Sequence, residues 1–460
     1  MYFNSFVFVG AFLLLLLIYW NCPSKYSKYI LIFSNILFAS SFGIRCLIYA
    51  LMISLISYLG AKGIVKSEIV SKKKIRLGAT IIIMVVLLGF VKYNSLFSDN
   101  LNLVIPIGMS FYIFRCISYL VDLYKKKITV SSFADHICYI LFFPSFSSGP
   151  IDRYGDLHPQ LIRRQAFDYE KASKGLWLFI WGLFKKIIVS GHLNFYTSWI
   201  YGSVERYKGF TLLFVSLLYT MQIYCDFSGY SDMAIGAAKL LGIDLNENFK
   251  SPYISGSVGE FWKRWHVSLS TWLRDYVYIP LGGNRKGKIR QNVNLIITFL
   301  VSGMWHGATL NFIIWGLAHG IVQVIEKRAA KRETDNNLIE IVKWVFTFGF
   351  INFSWVIFRL PTLREIVYFF THFLNGINNP IQYVMETQQL LHIDAMTFIR
   401  LVIIIGAIFI YDYFDNKNAI SERIIKKSGT FRIISMGLLL FTIFLLCPIE
   451  AATEYIYFDF

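Results

Sequence analysis

Apolar runs long enough to cross a lipid bilayer recur along this chain, separated by short polar segments. The clearest runs are residues 75–91, 103–123, 339–358, 396–411 and 433–446. Each contains few charged side chains, which is typical of helices that cross a membrane. Because the runs continue from one end of the chain to the other, the pattern predicts an all-α polytopic membrane protein. A soluble domain with a single anchor would show only one such run.

Two stretches do not fit simple spans. Residues 29–60 must cross twice in few residues, with Arg45 in the middle. The segment "YILFFPSFSSGP", residues 139–150, is broken by two prolines and a glycine. It is typical of a re-entrant segment, which is tolerated only where it is buried in protein or lines a cavity. With no internal repeat or long linker, the pattern predicts about 11 to 13 transmembrane or re-entrant helices in one integral domain, residues 1–460.

Composition and charge support this class. Of the 460 residues 56% are hydrophobic and 16% are charged, whereas soluble proteins have about a quarter charged. The net charge is +17, from 45 basic and 28 acidic residues. Because the basic residues cluster in short loops, they indicate cytoplasmic loops and argue against nucleic-acid binding. Residues 94–102 and 375–394 contain no Lys or Arg, so we expect them and the tail, residues 450–460, to face outside.

The cysteines indicate no metal site. Six of them are scattered along the chain, and no pair has the spacing of a zinc or redox motif. We therefore expect neither a bound metal nor a bound cofactor.

The most informative stretch with the composition of a soluble segment is "SGSVGEFWKRWHVSLSTWLRDYVYIPLGGNRKGK", residues 255–288. Ser257 and Glu260 have capping-box spacing, which predicts one helix from there to the break at Pro280. Trp262 and His266 then share one buried stripe. The helix either rests on the cytoplasmic leaflet, or closes the floor of an active site with His266 on its inner face.

Two carboxylates lie in "CDFSGYSDMAIG", residues 225–236. The pattern places Asp226 at the end of an apolar span and Asp232 at the start of the next helix, which Ser228 or Ser231 can cap. Carboxylates at a helix N-terminus are often structural, since the helix dipole favours them there. The functional alternative has one of them orienting a histidine or holding a basic helix in place.

His306 lies in "LVSGMWHGATLNFIIWGLAHG", residues 300–320, which is apolar enough for a bilayer. Gly303 and Gly307 flank it at the spacing that lets another backbone approach closely. A lone histidine on an apolar face is usually a satisfied core residue, but these glycines favour a functional role. A neutral imidazole shielded from water suits general-base chemistry. His319 would lie on a different face of a continuous helix, so it is the weaker candidate.

The chain ends in "YIYFDF", residues 455–460. Alternating aromatic residues at a chain end indicate an interfacial anchor. The alternative is a tethered hydroxyl, with Tyr457 fed back into the outer mouth of a cavity.

Together, "CDFSGYSDMAIG", "FWKRWHVSLSTWLRDYVYIPLGGN" and "MWHG" resemble the membrane-bound O-acyltransferase (MBOAT) family. The branch they resemble contains the bacterial alginate and peptidoglycan O-acetyltransferases and the D-alanyl transferases of teichoic acids. The resemblance runs over about residues 106–319, so we expect a catalytic core at residues 103–325. It implies membrane helices ringed around a tunnel, with the family's two histidines at His306 and His266.

The resemblance also implies the chemistry. A cytoplasmic thioester, such as acetyl-CoA, would be attacked by a hydroxyl whose proton His306 removes as general base. His266 would donate to the oxyanion or position the thioester. The basic stretch from Lys263 would meet the phosphates of coenzyme A or an acidic carrier protein. The residues expected to bind the donor are Lys263, Arg264, Arg274 and Trp305.

The tail separates the branches of this family. Acetyl-transferring members resemble this chain in an aromatic tail of the form "FIYFQF", which implies Tyr457 as an acyl relay to an extracytoplasmic partner. That partner would modify peptidoglycan or an exopolysaccharide outside the bacterial cytoplasmic membrane. D-alanyl export from a carrier protein is the nearest alternative. A non-catalytic scaffold for polysaccharide export is the alternative from another class.

Overall fold

A computed structural model of the chain describes residues 2–93, 105–329, 337–390, 394–418, 423–424 and 426–447. Within those ranges the regular structure is helical, and no strand is present. Residues 448–460, which include Tyr457, lie outside the described residues.

In the described part of the first half of the chain there are eleven α-helices. They are α1 (Phe6–Asn21), α2 (Ser27–Ser40), α3 (Ile44–Lys66), α4 (Val70–Lys92), α5 (Met109–Tyr124), α6 (Phe133–Ile140), α7 (Phe143–Phe146), α8 (Tyr154–Ile162), α9 (Tyr169–Leu183), α10 (Gly191–Tyr201) and α11 (Phe210–Leu240). A π-helical turn, Phe184–Ser190, joins α9 to α10, so these two form one continuous rod, Tyr169–Tyr201.

The second half begins with short helices and continues with long ones. They are α12 (Val258–Arg264), α13 (Val267–Leu273), α14 (Lys288–His306), α15 (Leu310–Ala329), α16 (Asn337–Arg359), α17 (Leu363–His372), α18 (Pro380–Leu390), α19 (Ala395–Asn418) and α20 (Gly429–Leu446). A second π-helical turn, Arg274–Tyr278, follows α13 directly.

Seven helices of the described chain are long and apolar enough to cross a membrane. They are α3, α4, the α9–α10 rod, α11, α16, α19 and α20. Helix α1 is also apolar but shorter, at 16 residues. The predicted all-α polytopic membrane class is therefore confirmed, and the ring around a tunnel stays a prediction.

The chain divides into two compact units. One comprises Met1–Gly182 with Tyr230–Glu247, and the other comprises Leu183–Gly229 with Asn248–Phe460. Both candidate histidines belong to the second unit. The expected single domain and the expected core at residues 103–325 stay predictions.

In the first unit, residues 139–150 form the broken segment that the sequence predicts. The short helix α7 lies within it, and the side chains are buried throughout. Gly108 has a φ of 77°, and a Cβ there would collide with the carbonyl oxygen of Phe146. Arg115 of α5 is buried and donates to the carbonyl oxygen of Ile140 at 3.1 Å. This guanidinium contact satisfies a carbonyl that a continuous helix would have satisfied itself.

Candidate active site

His266 lies at a break between two short helices. Helix α12 ends at Arg264 and α13 begins at Val267, and His266 between them has a left-handed φ of 42°. Val267 N–H donates to the carbonyl oxygen of Asn248 at 3.0 Å instead of to a carbonyl one turn earlier. The predicted single helix from Ser257 to Pro280 is therefore wrong, because another segment takes the hydrogen bond that would continue it.

The predicted N-terminus of that helix is confirmed. The Ser257 hydroxyl accepts from Glu260 N–H at 3.0 Å. The Glu260 carboxylate accepts from the backbone of Gly256 at 3.0 Å, one residue before the position that a full capping box would use.

Asn248 fixes the ring of His266. Its Oδ1 lies 3.0 Å from Nδ1 of His266 and also accepts from the backbone N–H of Ser268 at 3.2 Å. Because this oxygen already accepts a backbone N–H, the histidine nitrogen facing it must carry a proton. In the neutral ring, Nε2 is then the nitrogen with a lone pair. Asn248 was not predicted as a site residue, because its only signal in the sequence is a polar side chain 18 residues before His266.

His306 is the last residue of α14, and α15 packs back along that helix. A Cβ on Gly303 would collide with the carbonyl oxygen of Phe312, and one on Gly316 would collide with that of Phe299. The close backbone approach predicted at Gly303 is confirmed. The premise of one continuous helix through residues 300–320 is wrong, because the chain reverses between α14 and α15.

Trp305 lies beside both histidines. Its ring centroid is 4.6 Å from that of His306 and 6.4 Å from that of His266. The rings of Trp315 and Phe358 lie 5.2 Å and 5.1 Å from His306, which is 3% exposed. The structure therefore brings the two predicted histidines to one tryptophan, in a setting that excludes bulk water.

His319 belongs to the same aromatic cluster. Trp262 donates its indole N–H to Nδ1 of His319 at 3.1 Å. The Trp315 ring lies 4.7 Å from His319 and also contacts His306. Because α15 folds back, His319 is closer to the site than its place on a continuous helix predicts, and its contacts are those of a fully buried residue.

A cavity of about 2230 Å³ adjoins the two histidines. Val267, next to His266, and Ser302, one helical turn before His306, line it. Of the four predicted donor-binding residues, Lys263, Arg264 and Arg274 line the cavity, whereas Trp305 lies between the histidines instead.

Asp226 holds a buried lysine. Its Oδ1 lies 2.6 Å from Nζ of Lys186, and both side chains are less than 5% exposed. This contact agrees with the predicted alternative in which Asp226 holds a basic helix in place. The predicted break in the helix is wrong, because α11 continues unbroken from Phe210 to Leu240. Ser228 and Ser231 therefore cap nothing.

A second buried lysine acts on the same stretch of α11. Lys185 donates to the hydroxyl of Ser228 at 2.9 Å. Phe227 lies between the two lysine partners, and its ring meets His266 edge to face at 4.7 Å. The two lysines on the π-helical turn thus fix the segment that supports His266. Their signal in the sequence was two adjacent charges inside an apolar run, which require buried partners.

For two predicted site residues the assigned role stays a prediction. Asp232 is half-buried on the part of α11 that belongs to the other unit, and its orienting role stays a prediction. Tyr457 lies outside the described residues. Among the residues that the structure does describe, no group of three or more His, Cys, Asp or Glu is placed to hold a metal ion.

The family is decided by comparison with known sequences. A model of the membrane-bound O-acyltransferase family matches residues 109–363, which is more than half of the chain. The chain belongs to this family. The resemblance predicted from the motifs is confirmed, and so is the assignment as an O-acyltransferase.

Relatives of this MBOAT protein carry three kinds of name. A Pseudomonas putida protein named probable alginate O-acetylase AlgI is 37% identical over 386 residues, covering 79% of this chain and 78% of its own. A Helicobacter pylori peptidoglycan O-acetyltransferase is 32% identical over 410 residues, with 79% and 78% covered. A Bacillus subtilis teichoic acid D-alanyltransferase is 31% identical over 284 residues, with 56% and 69% covered.

Proposed function

We propose that this O-acyltransferase transfers an acetyl group from a cytoplasmic thioester, such as acetyl-CoA, to a hydroxyl outside the cytoplasmic membrane. The observation that carries the proposal is the pairing of His266 and His306 beside Trp305, next to a cavity that can hold a thioester donor. The names of the alginate and peptidoglycan relatives support acetyl as the group transferred. They support peptidoglycan or an exopolysaccharide such as alginate as the final acceptor.

In the proposed reaction, the hydroxyl oxygen attacks the carbonyl carbon of the thioester. His306 accepts the hydroxyl proton as the new C–O bond forms. When the tetrahedral intermediate collapses, the C–S bond breaks and the leaving thiolate takes the proton back from His306. The products are an acetyl ester and a thiol. The rings around His306 exclude the water that would otherwise hydrolyse the thioester.

His266 was expected either to donate to the oxyanion or to position the thioester. Its hydrogen bonding favours the positioning role. Because Nδ1 donates to Asn248, the neutral ring offers only an acceptor at Nε2. An acceptor cannot stabilise a developing oxyanion, but it can receive an amide N–H from the donor. We therefore assign His266 to positioning the thioester through an amide of its pantetheine arm.

The cavity supports a polyanionic donor. Lys263, Arg264 and Arg274 line it and can bind the phosphates of coenzyme A. Trp305 is proposed to pack against the thioester end, since it lies at the histidines and not among these cations.

The proposed transfer step outside the membrane depends on the C-terminal tail, residues 450–460. Tyr457 is proposed to take the acetyl group on its hydroxyl and to pass it to an extracytoplasmic transferase, which selects the polysaccharide. Segments without Lys or Arg, such as residues 375–394, are expected on the outer side of the membrane. This pattern favours an extracytoplasmic C-terminus and places the proposed step there.

D-alanyl transfer from a carrier protein to teichoic acid is the second candidate. The Bacillus subtilis relative favours it, with 31% identity. Its match covers 56% of this chain against 79% for the acetyltransferase relatives, so acetyl transfer ranks first. Turnover of acetyl-CoA without any carrier protein separates the two.

The test uses purified protein in liposomes with acetyl-CoA that is radiolabelled in the acetyl group. Wild type is compared with His306→Ala and Tyr457→Phe, and His372→Ala serves as a control because that histidine ends α17. We expect label on the wild-type chain and on the control, and none on the other two variants.

Each outcome decides one part of the proposal. Hydrolysis of acetyl-CoA without label on any chain would keep the enzyme and remove the Tyr457 relay. Turnover by His306→Ala at the wild-type rate would remove His306 as the base. Label transferred only from a D-alanyl carrier would replace acetyl as the group.

A further inference from the structure

The cavity is larger than one thioester donor requires. Its volume is about 2230 Å³, whereas pockets for small-molecule ligands usually enclose about 300–1,000 Å³. The residues nearest the histidines line only its inner part. The outer part lies between α16 and α19, two helices long enough to cross the membrane.

The wall of this outer part is a lipid-facing surface. Val342 and Phe346 of α16 line it, and so do Ile410 and Phe414 of α19. Each pair is four residues apart, so both side chains share one face of their helix. Phe346 is 71% exposed and Ile410 is 60% exposed. Because large apolar side chains this exposed in a membrane protein meet hydrocarbon, this part of the cavity opens to the bilayer.

The wall has a polar part and an apolar part. The lining residues of α16 extend from Asn337 to Thr347, which is about 15 Å along a helix at 1.5 Å per residue. The stretch includes Glu340 and Lys343, so it extends from the headgroup level into the first part of the hydrocarbon. Trp344 follows Lys343 and donates to the carbonyl oxygen of Tyr253 at 2.9 Å, and tryptophan is common at a membrane interface.

Cations outnumber acids in the lining of the cavity as a whole. The cavity is lined by five cationic and three acidic side chains. Two of the three acids are already occupied, because Glu260 pairs with Arg264 at 2.9 Å and Glu326 accepts the backbone N–H of Val258 at 2.7 Å. Lys327 and Lys343 make no ion pair within the part of the chain that the structure describes.

Two lysine ammonium groups also lie close enough to repel each other at this end of the cavity. Burial, together with the nearby ammonium of Lys263, lowers the pKa of Lys327. An anion placed there would relieve the repulsion and stabilise both charged lysines. The lysine-rich loops mark this end as cytoplasmic by the positive-inside rule.

We propose that the outer part of the cavity binds an anionic phospholipid of the cytoplasmic leaflet. Its phosphate lies at the lysine rim (Lys327 and Lys343), and its acyl chains lie along Val342, Phe346 and Ile410. Basic pockets between membrane helices on the cytoplasmic side are suited to such headgroups. The lipid forms one wall of the cavity and keeps the inner part for the thioester.

The experiment is native mass spectrometry of the full chain, delipidated in detergent and then given phosphatidylglycerol or phosphatidylcholine. We expect wild type to retain one phosphatidylglycerol and to prefer it over phosphatidylcholine. The double variant Lys327→Ala with Lys343→Ala should lose at least about fivefold of that retention, since two charge-assisted contacts are removed. The matched control is Lys66→Ala with Lys72→Ala, two exposed lysines of α3 and α4, and it should retain lipid like wild type.

Two results would overturn the site. One is equal retention of both lipids by wild type, and the other is unchanged retention in the rim variant. Val342→Trp provides an independent check, since a larger side chain in the cleft should exclude the acyl chains. Excess acetyl-CoA should leave the lipid bound, and stoichiometric displacement would assign the rim to the donor instead. Binding is measured without acceptor or turnover, so its outcome is separate from that of acetyl transfer.

Discussion

The two histidines are held in different ways. His266 lies at a helix break with a left-handed backbone, and a hydrogen bond to Asn248 fixes its ring. His306 ends a 19-residue helix and is enclosed by aromatic rings, among them Trp315 and Phe358. A hydrogen bond orients the first ring, and aromatic side chains enclose the second.

This difference suits different tasks. A hydrogen bond selects a tautomer and leaves one defined nitrogen for recognition. An aromatic enclosure fixes the position of a ring and excludes water, which suits a group that must gain and lose a proton in each cycle. We therefore assign proton transfer to His306 and recognition to His266.

The largest expected effect comes from replacing each histidine by alanine, which tests the division of roles directly. His306→Ala should lower kcat by about 10²–10⁴-fold, which is the contribution of a general base. His266→Ala should act more on KM, because it removes a contact made before the chemical step. Initial rates over a range of acetyl-CoA concentrations measure both. Equal losses of kcat in the two variants would contradict the division of roles.

The next test concerns the buried pair Lys186 and Asp226, which holds the segment that contacts His266. Lys186→Met leaves Asp226 buried without its lysine and should lower the free energy of unfolding by about 3–5 kcal/mol. The matched control is Lys171→Met, which breaks a pair whose carboxylate, Asp244, is 54% exposed. That change should cost less than about 1 kcal/mol.

Unfolding in mixed micelles, followed by denaturant titration, gives both values. The double variant Lys186→Met with Asp226→Leu should recover most of the loss, because no uncompensated charge remains. Similar losses for Lys186→Met and Lys171→Met would show that burial does not distinguish these pairs.

Asn248 allows a finer test of the fixed ring. Asn248→Ala should lower kcat/KM by about tenfold, since the ring loses the acceptor that selects its tautomer. Asn248→Asp should restore most of the activity, because a carboxylate also accepts from Nδ1–H. A purely structural role predicts the opposite order, with the buried charge of the aspartate more harmful than alanine. Melting temperatures of both variants provide the control.

Trp305→Phe should have the smallest effect. It keeps an aromatic ring beside both histidines and removes only the larger indole, so kcat/KM should fall by less than about threefold. Trp305→Ala is the comparison, and it should lose considerably more. A large loss in the phenylalanine variant would indicate that the indole N–H contacts substrate.

The sequence was most informative where the pattern is long. Apolar runs such as residues 75–91 and 339–358 predicted α4 and α16, because a membrane helix must satisfy its own backbone and needs about 20 apolar residues. The motifs predicted the family and both histidines. Gly303 predicted close packing, because a glycine inside an apolar helix leaves room for a second backbone to come into contact.

The wrong predictions arose where contacts between distant segments of the chain decide the local structure. The helix after Ser257 breaks at His266 because Asn248 takes a bond that local propensity cannot foresee. The glycines and serines of residues 225–236 indicated a helix boundary, yet α11 continues, because its side chains pack against neighbours distant in the chain. Partners such as Lys186 and Asp226 are 40 residues apart, and no local pattern pairs them.

The buried lysines also constrain how the protein enters the membrane. A lysine at the centre of an isolated helix opposes insertion by about 2.5–3.5 kcal/mol, and the α9–α10 rod carries two, at Lys185 and Lys186. Their partners are on α11, which begins at Phe210, only nine residues after the rod ends at Tyr201. The rod and α11 must therefore leave the insertion machinery as a hairpin. If the rod entered the bilayer before α11 was inserted, Lys185 and Lys186 would lie in lipid without their α11 partners. Quality-control factors could then recognise the nascent chain.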